Sequence, residues 1–266
     1  MKEIFSRRND LKTVVYQSYR TFNVPDWITK CMKTVKDWAN KKGFDYEFID
    51  DRLFSYVPDW YIKRTNKNIL PISDLARLEL AKEFLSKGYD RTIWVDADVV
   101  VFDADNFNID ITKQFAFCRE VWMDRLPGGE VSYSLGINNA VTVFVKNNKI
   151  LDFYIYACKS LVKNKPGNID RLDVGTRFLS TLYPNVYFPL LTNVGLFSPI
   201  VMYAIAAGHK DYIRKYMKKF GSAIQAANLC SSLKERSFDG LVMNDKIYKA
   251  VINNLVSTKG SIINQL

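Results

Sequence analysis

Histidine is almost absent from this 266-residue sequence: it occurs once, at position 209. The four cysteines, Cys31, Cys118, Cys158 and Cys230, lie far apart and form no C-x-x-C pair. That spacing argues against a zinc site or redox motif and suits buried thiols in a reducing compartment. No clean apolar run of about 20 residues, the length of a membrane span, is present. Residues 178–209 carry no charge, but Pro184, Pro189, Gly195 and Pro199 break them, and Asn185, Thr192, Asn193 and Ser198 are polar. Such a stretch reads as buried core. The start, MKEIFSRRNDLK, lacks the apolar segment of a secretory signal. A cytoplasmic protein is expected, either free or peripheral at a membrane. Internal repeats, low-complexity tracts and linkers are also missing, which favours one domain.

What is present is an ordinary globular composition, 48% hydrophobic and 25% charged, which excludes disorder and coiled coil. The charge is less ordinary. Lys and Arg number 38 against 28 Asp and Glu, a net +10. Residues 1–110 hold 18 of each sign, so residues 111–266, with 20 basic and 10 acidic side chains, carry the whole excess. This places a basic surface on the C-terminal part, either for an anionic partner or for solubility.

The first 110 residues alternate strand and helix patterns. Lys12–Gln17 is a β-branched run, and a helix opened by Pro25 runs to Gly43 with Trp27, Cys31, Val35 and Trp38 on one face. Strands at Phe44–Ile49 and Thr92–Val95 flank a helix from about Ser73 to Lys87. Strands separated by helices imply an α/β fold with a mainly parallel sheet. Further strands are expected at Phe115–Cys118 and Ala140–Val145, helices at Asn148–Val162 and Val174–Leu182, strand-like pieces at Val186–Phe188 and Leu190–Val194, and then a helical tail.

The chemistry concentrates at Trp94-Val95-Asp96-Ala97-Asp98-Val99-Val100-Val101-Phe102. A hydrophobic strand runs into two carboxylates two residues apart and then returns to apolar residues. At a strand end both can converge on one ion, and a cation is the natural counter-charge for carboxylates set against a core. Hard oxygen ligands with open positions suit Mg²⁺ or Mn²⁺ bridging to a diphosphate. About 20 residues upstream, Ser73-Asp74-Leu75-Ala76-Arg77 puts a carboxylate and a guanidinium on one helical face.

WVDADVVVF resembles the D-x-D motif of GT-A glycosyltransferases, and SDLAR is similar to the S-D-x-x-R helix of sugar-transferases that carry it. The resemblance implies a Rossmann-like GT-A domain over residues 1–200, with 201–266 a helical appendage of the same domain. It also implies a metal-dependent hexosyltransferase moving a sugar from a nucleotide-sugar, UDP- ahead of GDP-, to a glycan or lipid-linked glycan with retention. Asp96 and Asp98 would hold Mn²⁺ or Mg²⁺. Asp74 would accept from sugar hydroxyls, and Arg77 would contact the sugar or diphosphate and stabilise the leaving group. Ala97 falls within the donor-binding motif. Asn138-Asn139-Ala140-Val141 is similar to the N-[AS]-G-V segment of retaining members, with Ala140 where Gly is usual, and points to Asn138 as a donor contact. Asp173-Val174 is similar to the D-Q pair facing the reacting sugar, so Asp173 is a candidate catalytic residue; in an inverting enzyme Asp173 or Asp170 would be the base. The nucleotide is expected near Gln17, Ser18 and Asp50 or Asp51, outside the strand ends. A late histidine is the third metal ligand in many members, which leaves His209 as the candidate here and Asn193 as its rival.

Two features stay open at this level. In residues 210–220, Tyr212, Ile213, Tyr216, Met217 and Phe220 share one helical side and five Lys or Arg residues the other. That pattern fits a helix lying on an anionic membrane or one docked on the domain. The D-x-D also superficially fits a haloacid-dehalogenase-like phosphohydrolase, but no later acidic pair follows it. The absence of Gly from Gln17–Phe22 argues against a sugar nucleotidyltransferase. A non-enzymatic basic module for membranes or nucleic acid would explain the charge alone; no nucleic-acid motif is evident, and no such partner is expected.

Overall fold

A computed structural model describes residues 11–111, 113–126, 128–238 and 240–266. Residues 1–10, most of the start read for a secretory signal, lie outside the described residues.

The central layer is a six-stranded sheet in the order β2-β1-β3-β6-β5-β7. Its members are β1 (Thr13–Ser18), β2 (Asp45–Ile49), β3 (Arg91–Val95), β5 (Phe115–Arg125), β6 (Val131–Val145) and β7 (Leu190–Leu191). β1 pairs in parallel with β2 and β3, β5 pairs in parallel with β7, and β6 runs antiparallel to both β3 and β5. This is the α/β class and mainly parallel sheet expected from the alternation of patterns.

The crossovers follow local signals. Helix α1 (Asp26–Lys41) starts after Pro25 and buries Trp27, Cys31, Val35 and Trp38, its expected apolar face. Two short turns of helix, Asp51–Tyr56 and α2 (Asp59–Arg64), lead into α3 (Ile69–Ser86). Asn68 caps α3, its side chain accepting from the Leu70 N–H, and the helix starts a turn earlier than Ser73. α3 is packed on both sides, so Asp74 and Arg77 are buried on it along with Leu75, Leu78 and Leu80. α4 (Ile150–Asn164) and α5 (Thr176–Leu182) complete the layer over this side of the sheet, around Tyr154, Phe117 and Phe188.

Val186–Phe188 forms no strand, and two larger regions also differ from the sequence expectations. β5 and β6 continue well beyond Cys118 and start well before Ala140, forming a long hairpin with Glu120 opposite Gly136 and Trp122 opposite Ser134. Mixed polar and apolar residues obscured that extension. The second difference lies in the tail. Helices α6 (Pro199–Ala207) and α7 (Lys210–Phe220) are separate because Gly208 adopts a left-handed conformation (φ 75°) and ends the first. After α7 the chain returns as strand β9 (Ala226–Asn228) between β4 (Val99–Val101) and β8 (Val194–Leu196) in a second sheet. The stretch read as a helical appendage therefore also supplies a strand that pairs directly after the D-x-D. A small ribbon, β10 (Ser237–Phe238) and β11 (Leu241–Val242), precedes α8 (Asp245–Ser257) and α9 (Ser261–Asn264).

α7 settles the two readings of its charge pattern. Ile213, Tyr216 and Phe220 are buried in the core formed with α6 and α8, so the apolar side that a membrane helix would present is turned inward. Lys210, Arg214, Lys215, Lys218 and Lys219 are exposed. Among the described residues, no helix is long and apolar enough to cross a membrane.

Candidate active site

The D-x-D lies where the chain leaves one sheet for the other. β3 ends at Val95, Asp96-Ala97-Asp98 make the turn, and β4 begins at Val99. The turn is pinned on several sides. The Asp96 N–H donates to the Ala140 carbonyl at 2.8 Å, and the Val99 N–H to the Asp96 carbonyl at 3.0 Å. The Leu229 N–H donates to the Asp98 carbonyl at 3.1 Å. Beside the C-terminal ends of β1 and β3 opens a cleft of about 840 Å³ whose walls include both carboxylates. That is where open α/β sheets place ligands.

One wall is a chain of paired charges. Arg77 Nη2 contacts Asp74 Oδ1, while Arg77 Nη1 donates to Asp96 Oδ1 at 2.9 Å and to the Asn139 carbonyl at 3.0 Å. Asn139 Nδ2 donates to Asp74 Oδ1 at 3.0 Å, and Trp94 Nε1 to Asp96 Oδ1 at 2.6 Å. Asp74 Oδ2 is approached closely by Gly175, where a Cβ would stand only 2.6 Å away. The guanidinium is thus held between two carboxylates, and its placement explains why Asp74 and Arg77 occur at i and i+3. The sequence reading gave Arg77 direct contact with sugar or diphosphate. In the structure its Nη groups are occupied by Asp74, Asp96 and Asn139, so it organises the carboxylates of the cleft floor.

Asp96 and Asp98 converge through Asn228. Asn228 Nδ2 lies 3.1 Å from Asp98 Oδ1 and 3.4 Å from Asp96 Oδ2. The Ser231 N–H donates to Asp98 Oδ2 at 2.6 Å. Asp96 keeps 29% exposure, yet desolvation pushes its pKa up to about 6; Arg77 opposes the rise and Asp98 adds to it. Asp96 shares the Arg77 charge with Asp74, and Asp98 is met only by neutral N–H donors, so the three carboxylates have one cation among them. An all-oxygen set of this kind fits a hard divalent cation. Among the described residues no group of three or more His, Cys, Asp and Glu side chains is placed to hold a metal, and Asp96 and Asp98 form a pair only.

The other wall comes from the β5–β6 hairpin and the loop before α5. Glu120 and Trp122 alternate onto the cleft face of β5 beside Asn138 of β6. Asn138 Nδ2 donates to Glu120 Oε2 at 3.2 Å, and burial raises the Glu120 pKa, with Asn138 partly offsetting it. Trp122 Nε1 donates to Asp124 Oδ1 at 2.9 Å, which fixes the indole. Arg171, Leu172 and Thr176 close this side, and Cys230 to Lys234 close the end near Asp98.

The sequence-assigned residues thus divide. Asp74, Arg77, Asp96, Ala97, Asp98, Asn138 and Ser18 line the cleft. Gln17 does not: it is fully buried, donating from Nε2 to the Asp96 carbonyl at 3.1 Å and accepting from Tyr46 Oη at 3.0 Å. It braces the D-x-D turn from behind. Asp50 is turned to its own chain, its Oδ1 accepting from the Arg52 N–H and Nε, whereas Asp51 lines the cleft. Those hydrogen bonds hold the Asp50 pKa below its ordinary value.

Asp173 lies outside the cleft. It is held by Lys165 and Arg177 and accepts from the Asp170 N–H at 2.7 Å. Burial alone would raise its pKa, but these hydrogen bonds bring it below the ordinary value. It staples a loop. Asp170, the other base candidate, pairs with Arg177 and does not line the cleft either. His209 is exposed at the start of α7, its ring against Tyr203 at 5.8 Å, and does not line the cleft. Asn193 donates to the Asn108 carbonyl and is likewise elsewhere.

Glu120, Trp122, Arg171 and Asn228 escaped the sequence reading. An E-x-W-x-D alternation after Cys118 was the available signal for the first two. Asn228 carried none, because its meeting with Asp98 spans 130 residues.

No family model matches the sequence, and neither does any curated protein. Solved structures do. A glycosyltransferase involved in glycosylating the major capsid of PBCV-1 is similar at 12% identity, over 82% of this chain and 93% of that one, with a TM-score of 0.48. The apo form of mouse xyloside xylosyltransferase 1 is similar at 12% identity, over 84% of this chain and 98% of that one, with a TM-score of 0.44. At such distances, what the cleft can do is decided by its own residues.

Proposed function

We propose that the chain is a metal-dependent glycosyltransferase of GT-A type that transfers a hexosyl group from a nucleotide-sugar, with a UDP-sugar the first candidate donor. The observation that carries this reading is the Asp74–Arg77–Asp96 array set beside Asp98 at the strand ends of a large cleft. A cleft of this size accommodates a small-molecule substrate. Asp96 and Asp98 would hold Mn²⁺ or Mg²⁺, which supplies positive charge to a leaving diphosphate.

The chain's own groups do the rest. Arg77 pairs with Asp74 and Asp96 and aims both carboxylates, and the outer lone pairs of Asp74 accept from sugar hydroxyls. Gly175, lacking a side chain, leaves room for that carboxylate. Ser18 and Asp51 flank the side where the nucleotide enters. On the opposite wall Trp122 offers a flat apolar face and Glu120 a carboxylate two residues along the same strand face, a pairing suited to an acceptor sugar. With Asp173 and Asp170 engaged elsewhere, Glu120 is the carboxylate on this wall that can accept a hydroxyl proton or orient the hydroxyl. If the reaction retains configuration, the leaving phosphate is the alternative proton acceptor. A glycan, free or lipid-linked, is the proposed acceptor.

Titration calorimetry of UDP with and without Mn²⁺, on wild type and Asp98→Asn, tests the site. Wild type is expected to bind UDP in a Mn²⁺-dependent way, and the variant to lose at least about tenfold in affinity with an unchanged melting profile. Equal affinity in the variant rejects the metal assignment. A purified wild type that cleaves no UDP- or GDP-sugar with Mn²⁺, with or without candidate acceptors, rejects the transferase reading.

A further inference from the structure

Four cationic side chains line the cleft: Arg20, Arg77, Arg171 and Lys234. Arg77 is enclosed by Asp74 and Asp96. Lys234 pairs with Asp245 at 2.9 Å. Arg20 donates to the Asn23 carbonyl at 3.0 Å and lies over the Tyr19 ring. Arg77 Nε, like Arg171 Nη1, is withdrawn from water without a hydrogen-bond partner. Arg77 has its charge set between two carboxylates, whereas Arg171 has neither an ion pair nor a side-chain hydrogen bond among the described residues. A guanidinium N–H removed from water with nothing to accept from it is costly, and an oxyanion is the group that relieves it.

The loop that carries Arg171 is held in place. Asp173, two residues on, is gripped by Lys165 and Arg177, and the Leu172 N–H donates to Asp170 Oδ1 at 3.0 Å. Arg64 Nη2 donates to the Lys165 and Gly167 carbonyls at 2.5 and 2.9 Å, which fixes the start of the loop. These bonds hold the backbone that carries Arg171 at the cleft wall. Its charge also reaches the Cys230 thiol, on which Asp98, Glu120 and Asp96 act as well; burial is what chiefly raises that pKa. Arg171 lines the same cleft as the D-x-D and Glu120.

We infer that Arg171 is an oxyanion-binding residue of the substrate cleft, receiving either the diphosphate of the donor or a carboxylate or phosphate carried by the acceptor sugar. The inference rests on the cleft being a sugar-transfer site only for the identity of that oxyanion. The basic balance of residues 111–266, to which Arg171 belongs, suits an acidic substrate approaching from this wall.

Calorimetry with inorganic pyrophosphate, glucuronate, glucose 6-phosphate and glucose, each with Mn²⁺ present, tests it on wild type, Arg171→Gln and Arg171→Lys. Wild type is expected to bind at least one of the anions and to prefer it to glucose. Arg171→Gln should weaken that anion at least about tenfold, with Arg171→Lys recovering part of the loss and both variants melting like wild type. A loss confined to pyrophosphate assigns the donor diphosphate, and a loss confined to glucuronate or glucose 6-phosphate assigns an acidic acceptor. Anion affinities that do not change in Arg171→Gln, or a wild type that binds none of the anions, overturn the inference. Retained Arg171-dependent anion binding in a protein that cleaves no nucleotide-sugar would instead reject the transferase reading and leave this one standing.

Discussion

The two walls of the cleft are built on opposite electrostatic plans. On the α3 side each buried charge has a protein partner: Arg77 lies between Asp74 and Asp96, and Asn139 and Trp94 fill further positions on the two carboxylates. On the hairpin side Glu120 has only an amide for company, and Arg171 has no ion-pair partner among the described residues. A wall with its charges paired holds its shape without substrate. A wall with unpaired charges waits for groups brought by a ligand. The first wall is accordingly expected to govern folding and donor geometry, the second acceptor recognition.

Breaking the paired wall should have the largest effect. Arg77→Met leaves two carboxylates facing each other without their cation, and removal of one member of a buried ion-paired set costs about 3–5 kcal/mol. Urea unfolding is the measurement, and a loss below about 1 kcal/mol would mean that the array is solvated rather than load-sharing. The unpaired wall should behave otherwise. Glu120→Gln removes a charge whose burial is unfavourable, so stability should hold or rise slightly, while transfer to acceptor falls about 100-fold and donor hydrolysis persists. A parallel fall in stability would erase the distinction between the walls.

The smallest effect belongs to Asp173, in the staple behind Arg171. Its folded pKa lies below the ordinary 3.8, so its ionised form stabilises the fold above that pH and the contribution disappears as pH falls through the folded value. Asp173→Asn should therefore melt below wild type at neutral pH, by an amount on the order of 1 kcal/mol, with the gap closing as pH falls below the ordinary carboxylate value. A gap independent of pH would show that packing, not charge, holds the loop.

Local pattern made much of this legible. The β-branched run of β1, the Pro25 and Gly43 boundaries of α1 and the apolar strand ahead of Asp96 are written in neighbouring residues, and the α/β class followed from their order. The Asp74–Arg77 pair could be read because one helical turn brings its members together. Residue types without positions misled. Asp173 and His209 have side chains suited to catalysis and metal binding, but one is consumed by Lys165 and Arg177 and the other faces solvent. Gln17 stands one residue from the cleft edge, and strand alternation turns it inward while Ser18 faces out. Asn228 depends on the pairing of β9 with β4, a contact that no local periodicity announces.

The arrival of β9 also carries a consequence for synthesis. Asn228 and the Ser231 N–H meet Asp98 from 130 and 133 residues further along the chain. A growing polypeptide can already have threaded β1, β3 and α3 through the ribosome and packed them, while its D-x-D turn still lacks the strand that closes over it. Competence for the metal proposed at Asp96 and Asp98 would then come late, and a chain halted before β9 would carry the fold's first half without a finished D-x-D turn.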